Sequence, residues 1–153
     1  MTEPSSEDWI RLGGPISRLS VSLRVAGDGL DPTEISRLLG VAPTFAARKG
    51  DQIEHGPRIR TQRVSIWTYG LTEEPSPEWE LDDAISALLN RLPRDSAVWA
   101  DLASRFSINI FCGLFMGSDN QGAVLRTSTL QSLAERHLEL DLDVYGPPDG
   151  DEA

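Results

Sequence analysis

Arg48, Lys49, Arg58, Arg60 and Arg63 place five of the chain's 14 basic residues between positions 48 and 63, with Asp51 and His55 among them. On a chain of net charge −10, such clustering creates a local positive field able to hold a phosphate, a carboxylate or an acidic partner. Two chemistries follow. As a binding surface, Arg48, Lys49, Asp51, His55, Arg58 and Arg60, extended by Trp67, would grip an anionic ligand or a protein partner. As an enzyme, Arg48, Lys49 and Arg58 would clamp a small phosphorylated or carboxylated substrate while His55 or Asp51 moves a proton. A third reading is internal, with the same arginines neutralising Glu139, Asp141 and Asp143 across a sheet.

Other chemistry-bearing residues point nowhere so definite. Lys49-Gly50-Asp51 lacks the glycine and Ser/Thr spacing of a phosphate-binding loop and reads as a tight turn. Glu139, Asp141 and Asp143 share one strand face, but same-face neighbours lie about 7 Å apart, too far for one ion to bind all three. Asp119-Asn120-Gln121-Gly122 lacks the full spacing of a calcium loop. Cys112 falls in register with Phe106, Ile108 and Ile110 and reads as a small core hydrophobe. His137 lies near a helix end, where a cation favours the dipole. The residues assign no catalytic group, no metal ligand and no cofactor.

Elements of regular spacing must carry these groups. Leu19, Val21, Leu23 and Val25 alternate with polar residues, the two-residue period of a half-buried strand. Asp31 as N-cap, Pro32, Glu34 and a terminal Gly40 bracket a helix whose buried stripe is Ile35, Leu38 and Leu39. Phe45 to Lys49 forms a short strand, Gly50 to Pro57 a loop and Ile59 to Tyr69 a second strand. In that strand Trp67 and Tyr69 belong either to the core or to an exposed aromatic face. Trp79 to Leu92 recurs at helical spacing, and Asp95 or Ser96 caps a further helix containing Val98, Trp99 and Leu102. Phe106 to Met116 is apolar on much of both faces and reads as a central strand. Ser128 with Gln131 forms a capping box for a helix buried along Leu130, Leu133 and Ala134, and a last strand runs from Leu138 to Tyr145.

That order predicts an α+β fold: a mainly antiparallel sheet with helices on one face, a ferredoxin-like βαββαβ start and an extra αβ unit. Residues 1–15 read as a disordered or loosely docked acidic tail that Trp9, Ile10 and Leu12 could pin. Residues 16–146 form a single domain, and residues 147–153 a second acidic tail.

The chain's 153 residues suit one domain with a core needing no staples. One cysteine excludes an intrachain disulfide and fits reducing surroundings. The N-terminal residues lack a secretory pattern, and no run approaches the roughly 18 apolar residues of a membrane span, so a cytoplasmic location is expected. The acidic balance argues against nucleic acid and anionic membranes as partners. Arginine supplies 13 of the 14 basic residues, a skew expected of a GC-rich bacterial genome.

Leu30-Asp31-Pro32, Leu39-Gly40-Val41-Ala42-Pro43-Thr44, Arg48-Lys49-Gly50-Asp51, Asn120 with Gly122, and Leu140-Asp141-Leu142-Asp143-Val144-Tyr145 stand in an order that resembles the bacterial domain of unknown function 4279 family. The resemblance covers roughly Leu19 to Gly146 and implies no assigned activity. It departs after Gly122, where a Ser-Pro helix start is replaced by Leu125-Arg126-Thr127-Ser128. The expected function is a non-enzymatic binding or immunity-like protein, ahead of an enzyme or an accessory dimerisation domain. The sequence leaves the oligomeric state open.

Overall fold

The computed structural model describes residues 13–72 and 74–149. Most of the two expected tails, with Trp9, Ile10 and Leu12, lies outside them. Near the start, Gly14 accepts from the Gly122 N–H at 3.1 Å, so the chain is docked from there onward.

Strand β1 (Arg18–Ala26) buries Leu19, Val21, Leu23 and Val25 on one face, as its alternation requires. Helix α1 (Pro32–Leu39) starts where Asp31 accepts from the Thr33 N–H at 3.1 Å and stops at Gly40, whose φ of 72° closes the last turn. Glu34, expected in a capping box, instead accepts from Arg105 at 2.9 Å. Strand β2 (Phe45–Ala47) follows.

The next segment departs from expectation. The predicted loop contains strand β3 (Gln52–His55), and the single predicted strand is two: β4 (Arg58–Thr61) and β5 (Ile66–Gly70). Strands β3 and β4 pair only with each other as an antiparallel ribbon. Its two-residue loop is Gly56-Pro57, with Gly56 at φ 62°, the positive φ that a primed hairpin turn needs at its first central residue. The break before β5 is fixed by Gln62, whose side chain donates to the Val64 carbonyl at 2.9 Å while its N–H donates to the Asp51 carbonyl at 2.8 Å.

Helices α2 (Leu81–Asn90) and α3 (Ser96–Arg105) then lead to strand β6 (Ser107–Phe115), helix α4 (Thr127–Glu135) and strand β7 (Glu139–Tyr145). Trp79 precedes α2 and does not lie on it. Asp95 caps α3 through the Ala97 N–H at 2.9 Å.

The main sheet has the order β2-β5-β1-β6-β7. All its pairs are antiparallel except β6 with β7. Strands β1 and β2 therefore run parallel with β5 inserted between them, the split βαβ arrangement, and β6 completes a ferredoxin-like sheet. Helix α4 and β7 are the extra αβ unit. The fold is α+β, with one core between the sheet and the helices: Leu23, Val25, Trp67, Ile85, Leu88, Trp99, Leu102 and Ile110 are almost wholly enclosed there. Each such apolar side chain contributes roughly 1.5–3 kcal/mol on burial, so this single layer holds the frame on which all surface groups are mounted.

Helix α4 sits rotated from the predicted face. Thr129, Leu133 and Arg136 are buried, while Leu130 is 46% exposed. Nor does Ser128 cap it. Arg126 is the N-cap residue with no side-chain bond of its own, and the buried carboxylate of Asp82 on α2 accepts the Arg126 N–H at 2.9 Å. A contact from another helix thus fixes the entry to α4, where no side chain of its own does so.

Candidate functional site

The basic ribbon projects from the β2–β5 side of the sheet, and every residue of β4 is exposed. Ile59, between Arg58 and Arg60, is 65% exposed. His55 pairs in register with Arg58 at the ribbon tip. Arg48 turns away to Asp31 at 2.8 Å, and Asp51 accepts the Arg48 N–H at 2.8 Å, closing the turn expected at Lys49-Gly50-Asp51. Arg60 donates to Gln62 at 2.8 Å. An open groove of about 740 Å³ gathers Lys49, Arg60 and Arg63. Arg48, His55 and Arg58 lie outside that groove's lining.

Trp67 does not join this surface. It is fully buried on the helix side, and its indole N–H donates to the Ser36 hydroxyl at 3.0 Å. A partner of the ribbon therefore cannot reach it. Nor do the ribbon arginines neutralise the acidic last strand, because β2 and β7 are opposite edges of the sheet. The carboxylate of Asp141 accepts instead from Arg24 of β1 at 2.7 Å.

That ion pair belongs to the face of the sheet away from the helices. Arg24 lies over the Phe111 ring, 4.3 Å from its centroid, and also donates to Asn109 at 3.2 Å. Arg18 lies over Phe115 at 4.9 Å. Phe115 stacks on Tyr145 at 4.6 Å with planes 7° apart, and the Tyr145 hydroxyl donates to Asp143 at 2.6 Å. That hydrogen bond raises the phenol's pKa above its ordinary value. Cation–π contacts at exposed sites contribute about 0.5–1 kcal/mol each, enough to hold flat side chains in place without burying them. The face is an ordered array of arginine and aromatic rings, the residue types enriched at the centres of protein interfaces.

Cys112 is fully buried, and burial pushes its thiol up to about 12, so it is a core residue with no thiolate to offer. His137 sits just past α4 with φ 57°, in the left-handed position that closes the helix. Its N–H donates to the Ala134 carbonyl at 3.1 Å, and that of Leu138 donates to Leu133 at 3.0 Å.

One cluster escaped sequence reasoning. Between α2, the start of α3 and α4 lies a cavity of about 400 Å³, lined by Arg94, Arg136 and the hydroxyls of Ser86, Ser128, Thr129 and Ser132 among others. Ser86 and Thr129 share a hydrogen bond at 3.2 Å across the helix pair. Arg136 is only 8% exposed; its Nη1 donates to the Ser132 carbonyl at 2.9 Å, but its Nε is buried without a partner. Burial lowers the pKa of this guanidinium and nearby Arg94 lowers it further, against the opposing pull of Glu135. Among the described residues no carboxylate stands within ion-pair distance of either arginine. The signal in the sequence was Ser128, Ser132, Glu135 and Arg136 at helical spacing, a polar stripe that the neighbouring leucines obscured.

Among the described residues no group of three or more His, Cys, Asp or Glu side chains is placed to hold a metal ion, and no helix is long and apolar enough to cross a membrane. The architecture defines an α+β protein with a ferredoxin-like core, one basic projecting ribbon and one open arginine–aromatic sheet face. A family model described as a domain of unknown function (DUF4279) matches residues 17–147, and the chain belongs to that family. No curated protein and no solved structure matches it.

Proposed function

We propose that this chain is a non-enzymatic binding protein that recognises an acidic protein surface through the β3–β4 ribbon and the adjoining basic groove. The observation that carries this reading is the ribbon itself. A two-stranded hairpin is marginally stable alone, yet here one projects with Arg58, Ile59 and Arg60 all exposed on one strand. Arg58 and Arg60 share one ribbon face with their register partners His55 and the half-buried Ile53, while Ile59 points to the other face beside Glu54. An isoleucine among cations is the arrangement of an interface centre with a charged rim. The charge favours an acidic partner over nucleic acid or an anionic membrane, because the rest of the chain is strongly acidic and repels both. Within this reading the protein is a bacterial, cytoplasmic, immunity-like binder whose target presents carboxylates.

Affinity capture from the native host, with wild type and the Arg58→Glu/Arg60→Glu variant side by side, tests this. The expected result is an acidic protein retained by wild type, released by salt and lost with the variant. Equal retention by the variant, or repeated failure to retain any protein, overturns the proposal.

A second reading has its own observation. The last strand, β7, is an edge whose Leu142 and Val144 are 50% and 54% exposed on the side where helices cover the rest of the sheet. Unpaired edges bearing apolar side chains favour pairing with another chain, here a second copy. Sedimentation across a concentration series checks this, and a monomer at every concentration dismisses it.

A further inference from the structure

The cavity between α2, α3 and α4 stands on observations independent of the ribbon. Buried polar groups are almost always hydrogen-bonded, and a buried charged donor left unmatched is costly. Arg136 is more than nine-tenths buried and lines a cavity. Its Nε is enclosed behind the wall without a partner, its Nη1 is held by the Ser132 carbonyl, and its Nη2 makes no hydrogen bond among the described residues and is the nitrogen left for a ligand. Arg94 adds a second guanidinium to the same cavity. The one carboxylate on its wall, Glu135, accepts from Gln131 at 3.1 Å and leaves both guanidiniums without a close counter-ion among the described residues. Two arginines held near each other in this way are stabilised when an anion enters between them.

The rest of the wall narrows the class of anion. Ser86, Ser128, Thr129 and Ser132 offer hydroxyls, each able to donate or accept. A planar carboxylate saturates one guanidinium fork. A tetrahedral oxyanion has more acceptor oxygens and uses two guanidiniums with several hydroxyls. The volume of about 400 Å³ lies at the small end of ligand pockets and suits a sugar-phosphate-sized molecule. We infer that this cavity binds a small phosphorylated metabolite, with its phosphate between Arg94 and Arg136 and its hydroxyl-bearing remainder along the Ser/Thr wall of α2 and α4.

Calorimetry and backbone amide NMR on the full chain at constant ionic strength test the inference, with glycerol phosphate, ribose phosphate and inorganic phosphate as probes and malonate as the carboxylate comparator. Saturable binding of the phosphate esters is expected, with resonance shifts concentrated on Ser128 to Arg136. Arg94→Ala, which alters an exposed side chain and leaves the core intact, should weaken binding about tenfold or more, as loss of a charge-assisted hydrogen-bonding group does. Arg94→Lys should recover part of the loss. Three results overturn the inference: no saturable binding of any phosphate compound below about 10 mM, equal binding by Arg94→Ala, or equal affinity for malonate.

Discussion

Replacing Arg136 by methionine should make the ligand-free protein more stable, against the usual trend for core substitutions. The side chain is 8% exposed and its Nε has no partner. An orphaned buried donor costs about 1–3 kcal/mol, more for a charged group. The exchange forfeits the Nη1 bond to the Ser132 carbonyl, worth about 1.5–3 kcal/mol for a charged donor. It also removes desolvation of the whole cation and its repulsion by Arg94, and methionine refills most of the space. The balance is a gain of about 1 kcal/mol, or about 2–4 °C in Tm for a chain of this size. Urea unfolding followed by tryptophan fluorescence measures it, since Trp67 and Trp99 are both fully buried. Glycerol phosphate supplies the second arm. At ten times Kd it should stabilise wild type by about 1.4 kcal/mol and leave the variant unmoved, so the order of stability inverts when ligand is added. A variant less stable than wild type by more than about 1 kcal/mol without ligand would refute the reasoning, because the guanidinium would then be acting as a satisfied structural strut.

Other expectations follow from single contacts. Ser36→Ala removes the acceptor of the enclosed Trp67 indole N–H and should cost about 1–3 kcal/mol by urea titration. Adding Trp67→Phe should cancel part of that cost in a double-mutant cycle. His137→Gly relieves a left-handed residue at φ 57° and should raise stability by about 0.5–1 kcal/mol, read as a higher unfolding midpoint at unchanged slope. The Cys112 thiol, raised by burial from 9.0 to about 12, keeps its proton longer when folded. Its contribution to stability is therefore complete below pH 9.0 and is lost as pH climbs toward 12. Cys112→Ala should flatten that alkaline decline in a pH series of unfolding curves, and the native thiol should resist a thiol reagent that labels the unfolded chain.

The frame was legible because its residues repeat at the period of their element. Leu19 to Val25 alternate, and β6 is apolar on both faces because it lies between two strands, with the core on one side and Phe111 and Phe115 on the other. The ribbon was not legible because the period weakens there: Arg60 to Arg63 is wholly polar and carries no alternation to separate a strand from a loop, although Gly56-Pro57 was a turn signal in plain view. Trp67 was ambiguous because alternation fixes two faces without saying which one the helices cover; the Ser36 hydroxyl decides it only in three dimensions. The cavity was invisible for a related reason. Arg136 stands just past a helix whose buried face spacing placed along Leu130, Leu133 and Ala134, whereas the face turned inward carries Thr129, Leu133 and Arg136. The clustering of cations in the 48–63 segment was readable, but their division between Asp31, the groove and the ribbon tip depends on side-chain direction, which spacing does not encode.

The placement of the cavity has a mechanical consequence. One wall belongs to α2, part of the ferredoxin-like body, and the other to α4, part of the appended αβ unit. A molecule seated between them would act as a rivet across the α2–α4 seam, beside the Asp82 contact and the Ser86–Thr129 hydroxyl pair, adding to the β6–β7 pairing that already ties the unit to the sheet. Occupancy would then slow the peeling of α4 and β7 from the sheet. It would also set how often the Leu142 and Val144 edge swings free, giving a small metabolite leverage over the border at which a second chain could attach.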